Sequence, residues 1–192
     1  MMRNFQLRKP RCLLDVDGVI CAFVDGAIKV IEEITGKHYQ PDDFRDFVLS
    51  LAVEQRFRAA IHERFQRPGW CANLKPYPGA IDFVDRLQQH CEVYVVTTPM
   101  YGAATWASER EGWLRDYFGI PSSRVVHTSA KYVVSGASFI DDKPSHVEEW
   151  MQYHPDGIGV VMARSYNEDT TITRVHDYDS ALACLIPPGL FR

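Results

Sequence analysis

CLLDVDGVI, residues 12–20, reads as a buried strand interrupted by two carboxylates, Asp15 and Asp17. A carboxylate in apolar surroundings costs several kcal/mol, or holds on to its proton, unless something compensates it. The apolar run places both at or just past the C-terminal end of a strand, and Gly18 permits a turn there. Two carboxylates at such an edge repel each other unless a cation lies beside them. A hard divalent cation such as Mg²⁺ takes oxygen ligands and suits a site of few carboxylates completed by water and phosphate oxygens. The plainer alternative is an Asp-Gly turn with one capping Asp.

Outward from this stretch, strand-like and helix-like segments alternate, which points to an α/β protein. PGAIDFVDRLQQH (78–90) carries Ala80, Phe83, Val84 and Leu87 at helical spacing, and CEVYVVTT (91–98) has the β-rich look of a central parallel strand. TWASEREGWLRDYFG (105–119) reads as a helix with Trp106, Trp113, Leu114 and Phe118 on its apolar side and Gly119 as its stop. RVVHT, ASFID and IGVVMA read as strands. PSHVEEWMQYH reads as a helix with Pro144 in its first turn and Glu148 and Glu149 early, and one last helix is expected near Asp179 to Leu185.

Residues 21–75 break the alternation. They show no convincing strand, but helical spacing at Ile28, Ile31 and Ile34 and again at Phe57, Ile61 and Phe65. Ligands of a parallel sheet bind beyond the C-terminal strand ends. A helical insertion after the first strand is therefore placed to cover such a site, unless it is decoration elsewhere.

Polar groups recur at the later strand ends. Thr97 and Thr98 close VVTTP, where a hydroxyl and following amides can meet a phosphate oxygen. Lys131 follows RVVHT and offers a point charge, or is a solvated surface lysine. Asp141 and Asp142 end ASFIDD, as metal ligands or as charges favouring the next helix's N-terminus. Taken together, carboxylates at both ends of this series can hold a cation, and the Thr and Lys between them an anion. That describes a Mg²⁺-dependent phosphoryl-transfer site.

The order resembles the haloacid dehalogenase (HAD) superfamily of phosphohydrolases, through DVDGV (15–19), Thr97, Lys131 and IDDKP (140–144). DVDGVICAF, LKPYPGA, VYVVTTP, WLRDYFG and FIDDKP together look like the 5′(3′)-deoxyribonucleotidase family, which dephosphorylates nucleoside monophosphates. The resemblance implies a doubly wound parallel sheet, a HAD-like, Rossmann-type core of residues 1–20 and 76–192. A small helical cap of residues 21–75 would be inserted after the first strand. It implies Asp15 as nucleophile and Asp17 as general acid, then base. Mg²⁺ would be held by Asp15, the Asp17 carbonyl and Asp142, while Thr97, Lys131 and Thr98 would hold the phosphoryl group. Asp141 would orient the site or Lys131. Phe23, Phe47, Phe65 and Trp70 are the cap aromatics available to stack on a base, or to pack the cap. Where the family often has a basic residue, two positions before the lysine, this chain has Ser129, and the resemblance fades near Ser165.

The expected activity is hydrolysis of nucleoside or deoxynucleoside monophosphates. The alternatives are a sugar phosphate or other small phosphomonoester as substrate, or a nucleotide-binding regulator without turnover, which the presence of both Asp15 and Asp17 disfavours. A formal net charge of −4 over 192 residues, with no Lys/Arg block, argues against a nucleic-acid polymer as partner. No apolar run is long enough to span a membrane, and the first residues do not read as a signal peptide. Five scattered cysteines without a C-x-x-C pair suggest reduced thiols and a cytoplasmic protein, and a homodimer stays open.

Overall fold

Leu13 and Leu14 decide the architecture, because they are neighbours in one strand and both are fully buried. Alternate side chains of a strand face opposite sides of its sheet. A strand buried on both faces needs cover on both, as in α/β sheets. The structure, a computed structural model, describes residues 9–186; the ends of the expected core, 1–8 and 187–192, lie outside the described residues.

The strand is β1 (Arg11–Leu14). The others are β2 (Glu92–Thr97), β3 (Val125–His127), β4 (Ser138–Asp141), β5 (Ile158–Met162) and β6 (Arg174–Val175). They form one sheet in the order β3-β2-β1-β4-β5-β6, with every pair parallel. Leu13 stands opposite Tyr94 of β2 and Phe139 of β4. One face is covered by α3 (Ala80–His90), α4 (Trp106–Phe118) and α6 (Tyr178–Leu185), whose Phe83, Leu87, Leu114 and Leu182 pack with Cys12 and Leu14. The other is covered by α5 (Pro144–Tyr153), whose Val147 and Trp150 pack with Leu13, Val96 and Phe139. Each such buried Leu contributes about 1.5–3 kcal/mol relative to leaving it in water. The expected doubly wound parallel sheet is therefore present.

Two details differ from the sequence reading. Pro144 opens α5 as expected, its fixed φ suiting a first position, but Glu148 and Glu149 fall beyond the first turn, which carries no acidic residue. The two-residue β6 was not foreseen, because a pair of residues is too short to show alternation. The last helix is fastened at its start by Asp177, whose side chain accepts the Ser180 N–H at 2.7 Å.

Between Cys21 and Lys75 the chain forms α1 (Phe23–Thr35), α2 (Gln55–Phe65) and short 3-10 turns, without a strand among the described residues. Val24, Ile28, Ile31, Phe44, Ile61 and Phe65 give this segment a hydrophobic cluster of its own. The chain leaves and re-enters the sheet at one place, since Ala22 N–H donates to Lys75 C=O at 2.8 Å and Tyr77 N–H to Ile20 C=O at 2.9 Å. All five thiols are free, and no helix among the described residues is long and apolar enough to cross a membrane.

Candidate active site

The chain order reverses between β1 and β4, so a crevice opens beyond their C-terminal ends. Asp15 stands there. Its N–H donates to Ile140 C=O at 3.0 Å, extending the β1–β4 pairing by one residue, so its backbone is fixed to the sheet. The chain then turns tightly, with Ile20 and Cys21 N–H both donating to Val16 C=O. Gly18 has φ of 76°, and a Cβ there would run into the Asp142 carboxylate and the Tyr166 hydroxyl. Only glycine fits.

Lys131 begins a 3-10 turn beyond β3 and is 2% exposed, which excludes a solvated surface lysine. Its Nζ lies 2.7 Å from Asp15 Oδ1 and 2.6 Å from Asp141 Oδ2. Asp141 Oδ1 also accepts the Lys143 N–H at 2.8 Å, and His146 Nδ1 lies 3.1 Å from its Oδ2. Asp141 thus fixes both Lys131 and the backbone at Lys143, just before α5 begins. Asp142, the next residue, is held by the Tyr166 hydroxyl, and its C=O accepts from Asn167 Nδ2 at 2.6 Å.

The three buried carboxylates are not equivalent. Burial pushes Asp15 up to about 7, with Asp141 repelling in the same direction and Lys131 opposing. Asp142 is raised well above the usual carboxylate range by burial and then by Asp141 and Asp15. Burial opposes the charge on Asp141 too, but Lys131 and His146 hold it below that range. Lys131 is raised, because Asp141 and Asp15 together outweigh the burial that would neutralise it. Asp15, Asp141 and Asp142 each bring one oxygen within 4.8 Å of the others. Asp15 and Asp142 thus resist ionisation beside Asp141 with one ammonium for company, and an all-oxygen donor set of this kind fits a hard divalent cation.

Thr97, at the end of β2, is 1% exposed; it and Thr98 line the cavity above the carboxylates. The Thr98 hydroxyl donates to Thr128 C=O at 3.4 Å. Lys131 is not among the cavity-lining residues; it lies against Asp15 and Asp141, which are. The cavity holds about 350 Å³. Its opposite wall is apolar, with Phe23, Phe47, Ile61, Phe65, Met100 and Trp106. Phe23, Phe47, Ile61 and Phe65 of the helical segment thus line the same cavity as Asp15, Asp141 and Asp142. Of the four aromatic candidates, Phe23, Phe47 and Phe65 line the cavity, while Trp70 packs behind, 4.5 Å from Phe65 and 5.9 Å from Trp106 between ring centroids. Ser129 does not line it, and its hydroxyl accepts from Tyr101 at 3.4 Å.

Asp17 lines the same cavity as Asp15. Its Oδ1 lies 2.6 Å from Nη2 of Arg110, a fully buried arginine of α4. Arg110, Tyr166 and Asn167 were not singled out in the sequence. For Arg110 a signal existed: positions 106, 110, 113 and 114 share one helix face, so a charge at 110 falls among the indoles of Trp106 and Trp113.

A sequence profile of the family described as "5' nucleotidase, deoxy (Pyrimidine), cytosolic type C protein" matches residues 9–187, running through the tail beyond Ser165 where the resemblance was expected to fade. The human cytosolic 5′(3′)-deoxyribonucleotidase is 26% identical over 71% of the chain and 72% of its own length. The human mitochondrial 5′(3′)-deoxyribonucleotidase is 30% identical over 71% of the chain and 64% of its own. A HAD hydrolase of Bacillus subtilis, solved bound to magnesium, superimposes with a TM-score of 0.57 at 17% identity, covering 93% of this chain and 99% of that one.

Proposed function

Because the chain belongs to the 5′(3′)-deoxyribonucleotidase family of the HAD superfamily, we propose that it hydrolyses nucleoside and deoxynucleoside monophosphates to nucleoside and phosphate. The observation that carries this reading is the Lys131 ammonium bridging the buried Asp15 and Asp141 beneath a cavity faced by Thr97 and Asp142. Acidic, hydroxyl and cationic groups meet there from four adjacent strand ends, as phosphoryl transfer requires. The apolar, aromatic wall opposite favours a planar base over a polyhydroxylated sugar as the leaving part, and about 350 Å³ lies within the usual range of small-ligand pockets. Residues 21–75 act as a cap on a core made of residues 1–20 and 76–192. Five unbridged thiols suit a reducing, cytoplasmic setting.

The chemistry runs in two steps. An Asp15 carboxylate oxygen attacks phosphorus, the bond from phosphorus to the ester oxygen breaks, and Asp17 delivers a proton to that departing oxygen. Water then attacks the aspartyl-phosphate, Asp17 takes its proton, the bond to Asp15 breaks and phosphate leaves. Thr97 and Lys131, with Thr98, hold the transferred group, and Asp141 keeps Lys131 aimed. Asp15, the Asp17 carbonyl and Asp142 would hold Mg²⁺, which when bound offsets the charge on the phosphoryl oxygens.

The test is phosphate release from ribo- and deoxyribonucleoside 5′- and 3′-monophosphates beside sugar phosphates. Nucleotides are expected to lead in kcat/KM by about 10-fold or more, in line with pocket selectivity. Equal or faster turnover of sugar phosphates would move the substrate assignment to that class.

Metal dependence has its own expected result. A chelator stops turnover and Mg²⁺ restores it. At a hundred-fold excess over Kd, Mg²⁺ adds about 2.7 kcal/mol of stability, a rise in Tm of roughly 5–10 °C for a chain of this size. Activity and melting both indifferent to chelation would remove the metal from the scheme.

A further inference from the structure

Arg110 is a charged side chain that the two-step chemistry leaves unused, and it is 0% exposed. Its guanidinium lies between two indoles, 5.2 Å from the Trp106 ring centroid and 5.3 Å from that of Trp113. A buried guanidinium is costly unless paired. Here it pairs with Asp17, at 2.6 Å, with the Cys21 thiol also against it, while Nε and Nη1 find no oxygen or nitrogen partner among the described residues. Helix α4 is itself anchored across the cavity's flank, because Glu109 accepts the N–H groups of Gly69 at 2.7 Å and Ala72 at 3.1 Å. A planar cation clamped between aromatic faces on an anchored helix has little freedom. The partner it holds, Asp17, is only about three-quarters covered, since its side chain is 25% exposed at the cavity rim. Left alone, that short side chain would sample other rotamers.

We infer that Arg110 is a positioning residue that anchors the Asp17 carboxylate on the cavity rim, so that proton delivery to the departing ester oxygen depends on it while attack by Asp15 does not. This rests on the two-step reading above. A misplacement of about 1 Å in a reacting group costs on the order of 10²-fold in rate.

The experiment compares two leaving groups in Arg110→Met, which keeps an unbranched side chain between the indoles. Nucleoside release from a nucleoside monophosphate in a single turnover needs a proton on the departing oxygen. The burst of dinitrophenolate from 2,4-dinitrophenyl phosphate, followed by absorbance, does not. Arg110→Met is expected to slow the first by about 10- to 100-fold and leave the burst within roughly threefold of wild type, with KM for the nucleotide little changed. Asp17→Asn serves as the control and is expected to show the same split, more strongly. Equal losses on both substrates would mean a merely structural arginine, and no loss on either a dispensable one; each overturns the inference. If Arg110→Met does not fold, Arg110→Lys, which keeps a charge but loses the fork, carries the same comparison and the same two overturning outcomes. Failure of the reading beneath it looks different: wild type would then release nothing from either substrate, or Asp17→Asn would lose the burst as well.

Discussion

Asp15→Asn is expected to lower phosphate release by about 10⁴-fold or more, as when a covalent nucleophile is removed. An amide oxygen cannot form the acyl-phosphate, so nothing replaces the lost step. The substitution preserves shape, and the backbone bond from residue 15 to Ile140 does not involve the side chain. Lys131 keeps Asp141 as a partner at 2.6 Å. The variant should therefore fold, with its Tm within a few degrees of wild type, so that lost turnover reports chemistry and not unfolding. Turnover above about 1% of wild type in a homogeneous sample would sink the covalent route, since the general acid and the electrostatics alone would then account for the rate.

Lys131→Met is expected to damage both stability and rate. Lys131 is 2% exposed and stays charged against the pull of burial only because Asp15 and Asp141 flank it. Without it, three buried carboxylates whose oxygens lie within 4.8 Å face one another with no ammonium between them. Breaking a buried pair in this way costs about 3–5 kcal/mol, a fall in Tm of roughly 6–20 °C for a chain of this length. Turnover should fall by about 10²–10³-fold, as when one electrostatic donor to a transition state is removed. Mg²⁺ should recover part of the Tm, by neutralising the carboxylates, without recovering the rate. Melting and turnover both at wild-type level would show that Lys131 carries neither role.

Much of this molecule could be read before folding. The strand–helix alternation was plain because apolar side chains repeat with the period of each element: Ala80, Phe83, Val84 and Leu87 turn one face of α3 inward, and β2 is buried on both faces near its end. The acidic and basic positions were legible because a parallel sheet delivers its strand ends to one edge. Asp15, Thr97 and Asp141 each end an apolar run, Lys131 comes a few residues after one, and topology does the rest. Arg110 was not legible as a partner of Asp17, because 93 residues separate them. Tyr166 and Asn167 lie in a tail with little periodicity, 24 and 25 residues from the Asp142 they hold.

The sequence by itself determined which residues stand at strand ends, since local periodicity ends each strand where the polar residue begins. It could not determine the state of those residues. Whether Lys131 is a solvated surface charge or a buried bridge, and whether Asp17 pairs with a buried arginine, depends on what packs beside them. Only the tertiary structure decided that, because burial and through-space charge act between side chains that the chain order keeps far apart.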